Sequence, residues 1–233
     1  MQYTITQSTV FPLVEITLAR GQEVRIERGA MVYHNGNVSL EGKLNSNGAG
    51  GLGGVMKAIG RSIASKESMF MTTATGLSDG AKLGIAPGTP GAIRELSIGA
   101  ERWRINDGAF LACDATVQYE LRRQSVGKAI FAGTGGLFVM ETTGTGSMLV
   151  SAYGDILELP VSGSSPLVVD NVHVVAWSSS LDYQIKVASG TFGFTTGEGL
   201  VNEFHGAGTV LIQTRNVQSL ASMLSPFITS KSN

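Results

Sequence analysis

Few residues in this chain could do chemistry, and their spacing limits how far each can go. Three histidines, His34, His173 and His205, are scattered along the sequence, with no His-x-His among them. Metal enzymes on β folds assemble such a pair with a carboxylate and a further histidine around one ion. His173 reads instead as part of a half-buried strand, and His205, before a turn glycine, as exposed. Cys113 is the single cysteine, beside Asp114 in a strand-like stretch. A nucleophilic thiol needs a partner base. None stands nearby in sequence, so the expectation is a buried, inert side chain. Glu23 with Glu27, and Asp155 with Glu158, read as solvated carboxylates at strand ends.

Two further patterns invite a ligand. Gly48-Ala49-Gly50-Gly51-Leu52-Gly53 satisfies the G-x-G-x-x-G spacing, in which glycines let a pyrophosphate approach a helix N-terminus. No βαβ unit surrounds it, and Glu67 follows Gly53 by 14 residues, short of the ~20 that a ribose-binding acid needs. A loop or subunit hinge is the expected reading. Arg102-x-Arg104 brackets Trp103, which suggests base stacking. Alternation in a strand sends Trp103 to the face opposite both arginines, so a core tryptophan between solvated arginines is expected. The sequence therefore offers no catalytic residue, no metal ligand set and no cofactor site. The expectation is a protein that is not an enzyme.

The elements that would position these residues are strands. Glycine is abundant at 31 residues of 233. Because glycine weakens helix and strand interiors, that number implies many tight turns between short strands. Charged residues make up 15%, against about 25% in an ordinary domain. The 17 basic and 18 acidic residues nearly cancel, which disfavours nucleic acid on a broad basic surface. A sparsely charged, near-neutral surface favours self-association. The first residues lack a signal-peptide pattern and no apolar run reaches ~18 residues. With no possible internal disulfide, a soluble cytoplasmic protein is expected.

One pattern recurs three times. Gly29-Ala30-Met31-Val32, Gly108-Ala109-Phe110-Leu111 and Asn171-Val172-His173-Val174 each precede an alternating strand: Val38-Ser39-Leu40, Val117 to Leu121, and Tyr183 to Val187. A second element follows, at Met69-Phe70-Met71, Leu137-Phe138-Val139 and Leu200-Val201. Phe110 to Leu137 and His173 to Leu200 are both 27 residues, while Met31 to Met69 is 38. The fold expected is all-β: an antiparallel sandwich or double-stranded β-helix-like body of three pseudo-repeats with one or two short helices. The expected divisions are 1–95, 96–160, 161–215 and a helical tail at 216–233, within one continuous body. Pro160 and Pro166, flanking Ser162 to Ser165, mark the junction of the second and third copies. Leu52, Val55, Met56, Ile59 and Ile63 fall at helical spacing, as do Val217, Leu220, Ala221 and Leu224.

Gly135-Gly136-Leu137-Phe138, Glu198-Gly199-Leu200 and the run from Gly206 to Asn216 carry a resemblance. So does the stretch from Gly48 to Gly54 leading to Lys66-Glu67-Ser68-Met69-Phe70. Over residues 5 to 227 the chain resembles the altered-inheritance-of-mitochondria family, widespread in bacteria and present in fungal mitochondria. The resemblance implies a sandwich like the tryptophan RNA-binding attenuation protein, repeated in pseudo-threefold fashion and oligomeric, with no catalytic positions to carry over. A non-enzymatic scaffold acting through homo-oligomeric assembly is therefore the first functional reading. Its interaction segment is the loop and helix bearing Gly50, Gly51, Gly53, Gly54, Lys57 and Arg61. Expected partners are further copies of the chain and an unidentified protein, with a membrane surface as another option. A small-ligand or RNA-binding module is the second reading, and an enzyme with an unrecognised site the third.

Overall fold

The computed structural model describes residues 1–6, 10–44, 70–106, 108–123, 138–188 and 199–228. The chain enters through β1 (Gln2–Ile5), β2 (Val14–Leu18), β3 (Glu23–Glu27), β4 (Met31–His34), β5 (Val38–Leu44), β6 (Phe70–Gly76) and β7 (Ala81–Ile85). Next come β8 (Ile93–Ile98), β9 (Trp103–Asn106), β10 (Phe110–Asp114), β11 (Val117–Arg123), β12 (Phe138–Gly144) and β13 (Gly146–Ser151). The last six are β14 (Ile156–Val161), β15 (Leu167–Asp170), β16 (Val174–Ser178), β17 (Asp182–Val187), β18 (Leu200–His205) and β19 (Gly208–Gln213). Among the described residues one α-helix, α1 (Val217–Leu224), follows. The all-β class expected from turn density and alternation is what the chain adopts.

Local sequence explains the strands. In Val14-Glu15-Ile16-Thr17-Leu18 the apolar residues are fully buried and the polar ones half-exposed, the period of a sheet with one dry face. Val24 and Ile26 repeat this in β3. Gly29 and Gly108 have φ of 84° and 83° in the turns ahead of β4 and β10, conformations that a side chain resists.

The strands form four antiparallel sheets: β1-β2-β7-β4, β5-β6-β3-β10-β13-β8, β11-β12-β9-β16-β19-β14 and β15-β18-β17. Advancing every strand number of the second sheet by six yields the order of the third. Irregularities recur at matching places. Pairing slips between Met31 and Tyr33 in β4, between Phe110 and Ala112 in β10, and between Val174 and Ala176 in β16. Such β-bulges re-aim side chains at a fixed point of a strand.

Three apolar cores lie between successive sheets. The first joins β2 and β7 to β3, with Ile16, Leu83, Ile85 and Ile26 inside. The second gathers Trp103, Ile105, Phe110, Met140 and Met148. The third holds Trp177, Phe204, Val169 and Val210. Each fully buried aliphatic or aromatic side chain contributes on the order of 1.5–3 kcal/mol relative to exposure.

Several expectations fall differently in space. The divisions after residues 95 and 160 cut β8 and β14, because both lie within strands. Pro160 belongs to β14, an edge strand, where its missing N–H is tolerated. His173 is not in a strand: it ends a 3-10 turn, Asn171–His173, and Val174 takes the place that matches Met31 and Phe110. The helix expected around Leu52 to Ile63 lies outside the described residues.

Candidate functional site

Each histidine occupies a separate local network. His173 Nδ1 lies 2.6 Å from the Gln213 carbonyl, which can only accept, so Nδ1 donates. Nε2 then accepts from Asn216 Nδ2 at 3.0 Å, while Asn216 Oδ1 caps α1 by accepting from Ser219 N at 2.7 Å. With both nitrogens engaged, His173 ties the helix start to β19. His205 Nε2 meets Glu203 Oε1 at 3.0 Å, and Glu203 also holds Lys186 in a short ion pair. His34 Nδ1 accepts from Gly36 N at 3.1 Å, which closes its own turn. Among the described residues no three metal-ligating side chains converge.

Cys113 is fully buried in β10. Burial pushes its thiol up to about 12, against a downward pull from Arg25. Arg104 and Arg122 are partnered rather than free for nucleic acid. Arg104 Nε lies 3.1 Å from Glu141 Oε2, and Arg122 Nε reaches the same oxygen at 3.3 Å. Arg104 also donates to the Leu181 carbonyl at 3.1 Å and lies over the Tyr183 ring. The expected pair of solvated arginines beside Trp103 is thus half right: Trp103 is buried and Arg102 exposed, but Arg104 is drawn inward by Glu141. Glu141 lies 37 residues away in sequence, and only the β9–β12 pairing opposes it to Arg104.

A cleft of about 320 Å³ opens beside that region. Asn106, Ser151, Tyr153, Asn171, Gln213 and Asn216 supply its polar lining, with Ala109 and Val174 apolar and Val217 of α1 at its edge. The volume suits a small organic molecule. No motif announced this cleft, because its walls come from the ends of four strands, the turns beside them and the start of α1.

The exposed apolar surface is more specific. α1 buries none of its residues, and Val217, Met223 and Leu224 are exposed on it. Phe227 and Ile228 follow, at 83% and 69% exposure. At two sheet edges, Met31, Val32 and Tyr33 of β4 and Val168 of β15 are likewise exposed. The interaction segment expected at Gly50, Gly51, Gly53, Gly54, Lys57 and Arg61 lies outside the described residues.

Fold and surface define an antiparallel all-β protein of several sheets that share strands from distant parts of the chain. Within that class, the chain belongs to the family described as mitochondrial biogenesis AIM24, which matches residues 3–215. A relative described as an uncharacterised protein of Streptococcus pyogenes serotype M6 is 47% identical over 234 residues, spanning 100% of this chain and 93% of the relative. A crystal structure of a Streptococcus pyogenes protein, 44% identical, superposes with a TM-score of 0.82 over 97% of this chain and 99% of that one. Among the described residues, no helix is long and apolar enough to cross a membrane.

Proposed function

We infer that this chain is a non-enzymatic β scaffold, built from three copies of one six-strand unit, that works through homo-oligomeric assembly and contact with a partner. The observation that carries the reading is the exposed apolar surface of α1 and the turn after it, where Met223, Leu224, Phe227 and Ile228 lie uncovered. Apolar patches of this kind on a sparsely charged protein mark interaction sites. The order of strands in the third sheet, six ahead of that in the second, supports the repeated unit. Its likeness to the attenuation-protein fold belongs to the same inference, and superposing one six-strand unit on that fold would test it.

Native mass spectrometry of freshly purified protein is the direct test. A discrete multiple of 24.4 kDa without excess mass is expected; a bare monomer at all concentrations would remove the assembly reading. Removing residues 48–63 addresses the interaction segment separately. If oligomer mass and liposome binding were both unchanged, that segment would have no part in either.

The polar cleft favours a second reading, a small-ligand module. Asn171 Oδ1 lines that region buried and without a hydrogen-bond partner among the described residues. A reproducible excess mass on every subunit would put this reading first. RNA has less support, since Arg104 and Arg122 are already spent on Glu141.

A further inference from the structure

Each end of this stack of sheets is a half-sheet, and each holds the strands that the other lacks. The two internal six-stranded sheets are joined at their middles by antiparallel pairs, β3 with β10 and β9 with β16. In the first, Ala112 faces Ile26 and Cys113 faces Arg25. In the second, Ala176 faces Ile105 and Trp177 faces Arg104. Moving six strands along the chain from β9 arrives at β15, and moving six back from β10 arrives at β4. β15 is the outer strand of β15-β18-β17, and β4 is the outer strand of β1-β2-β7-β4. Set side by side, β17-β18-β15 and β4-β7-β2 reproduce the internal strand order.

Register makes the match specific. The bulge in β4 sets Tyr33 at the place of Ala112 and Ala176, and His34 at the place of Cys113 and Trp177. On the opposite edge, Ile26 pairs with Thr72 and Ile105 with Met140, as Val169 pairs with Asn202. Those three partners each stand four residues before a turn glycine: Gly76, Gly144 and Gly206. Val169 therefore takes the place of Ile26 and Ile105, and Val168 that of Arg25 and Arg104.

Exposure follows the missing pairing. Leu111 and Val175, in the covered strands, are 0% and 1% exposed. Val32, at the same place in β4, is 55% exposed, and so is Val168 on the other edge. Bare strand edges with apolar side chains are templates for another strand.

We propose that β15 of one copy pairs antiparallel with β4 of the next, Val168 opposite His34 and Val169 opposite Tyr33, so that chains join head to tail through a further six-stranded sheet. This rests on the oligomeric reading above and specifies its interface. The contact is heterologous, so it closes into a ring or extends as a filament according to its rotation. Internal junctions are latched by arginine: Arg25 donates to the Val117 carbonyl at 2.7 Å and Arg104 to that of Leu181 at 3.1 Å. Val168 replaces that latch with an apolar contact, which leaves the junction between chains easier to open than those within one.

The test mixes two full-length variants, His34→Cys and Val168→Cys, and adds a short bis-maleimide. Both positions are exposed, and Cys113 is buried and does not compete. A covalent dimer in the mixture, absent from either variant alone, is expected. Val168→Asp, on an exposed position that leaves the fold intact, is expected to shift the native mass toward 24.4 kDa. If the mixture does not cross-link while the unmodified protein still shows a multiple mass, assembly uses another face and this inference falls alone. If the doubly substituted chain links only within itself, the edges close on one another and the inference falls likewise. A protein that is monomeric at every concentration would overturn the oligomeric reading together with it.

Discussion

Cys113 is an internal residue of a doubly covered strand, and its environment sets its chemistry. A thiol needs its anion to react, and burial that lifts Cys113 to about 12 leaves almost none at neutral pH. Native protein is therefore expected to leave a thiol reagent unconsumed at pH 8, and unfolded protein to consume one equivalent. Rapid labelling of the folded chain would contradict this environment. Asn202 raises the opposite problem. It is fully buried, and neither its Oδ1 nor its Nδ2 has a hydrogen-bond partner among the described residues. Such groups cost about 1–3 kcal/mol each when left unpaired, and the matching position on β12 is Met140. Asn202→Met is expected to stabilise the protein by roughly 2 kcal/mol in urea unfolding. A loss of stability would show that the Asn202 amide is hydrogen-bonded in solution.

At the scale of elements, α1 is attached mainly by its first turn. None of its eight residues is fully buried, and a helix this short is marginal in isolation. What fixes its direction is the Asn216 cap, itself held by His173, whose other nitrogen is anchored on β19. His173→Ala should loosen this cap and cost about 1 kcal/mol. The helix amides should then exchange faster, while those of β16 and β19 keep their protection. Unchanged exchange in α1 would show that the cap holds without His173. The sequence made this helix legible through its apolar spacing. It did not make the support legible, because His173 reads as one more residue of a strand until the 3-10 turn is seen.

For the molecule as a whole, carboxylates in three sheets link stability to pH. Glu15 on β2 is held below its ordinary value chiefly by Lys82, Glu95 on β8 by Ser147, and Glu203 on β18 by Lys186. Their folded pKa values lie below the unfolded value near 4.5. Between the two, the unfolded chain binds more protons, so stability rises with pH there. The contribution is complete above the unfolded value and is lost as pH falls through the folded ones. Urea midpoints measured from about pH 6 down to about pH 3 should fall on acidification, and Glu95→Gln should make the fall shallower. A midpoint independent of pH over that range would mean these contacts do not persist in solution.

By itself the sequence determined the class of fold, the short strands and the family. Those follow from local causes: period-two alternation, glycines at positive φ, and motif stretches that survive as strings of residues. The 27-residue spacing pointed to recurring elements for the same reason. Tertiary structure alone decided which strands are neighbours. β3 bonds to β10 and β9 to β16 across some 80 residues, a choice made by core packing and not by any nearby residue. It likewise placed Glu141 against Arg104, assembled the polar cleft and, among the described residues, left β4 and β15 as outer strands of their sheets. Alternation tells a strand which face to bury; only the packed sheets tell it which edge is bare.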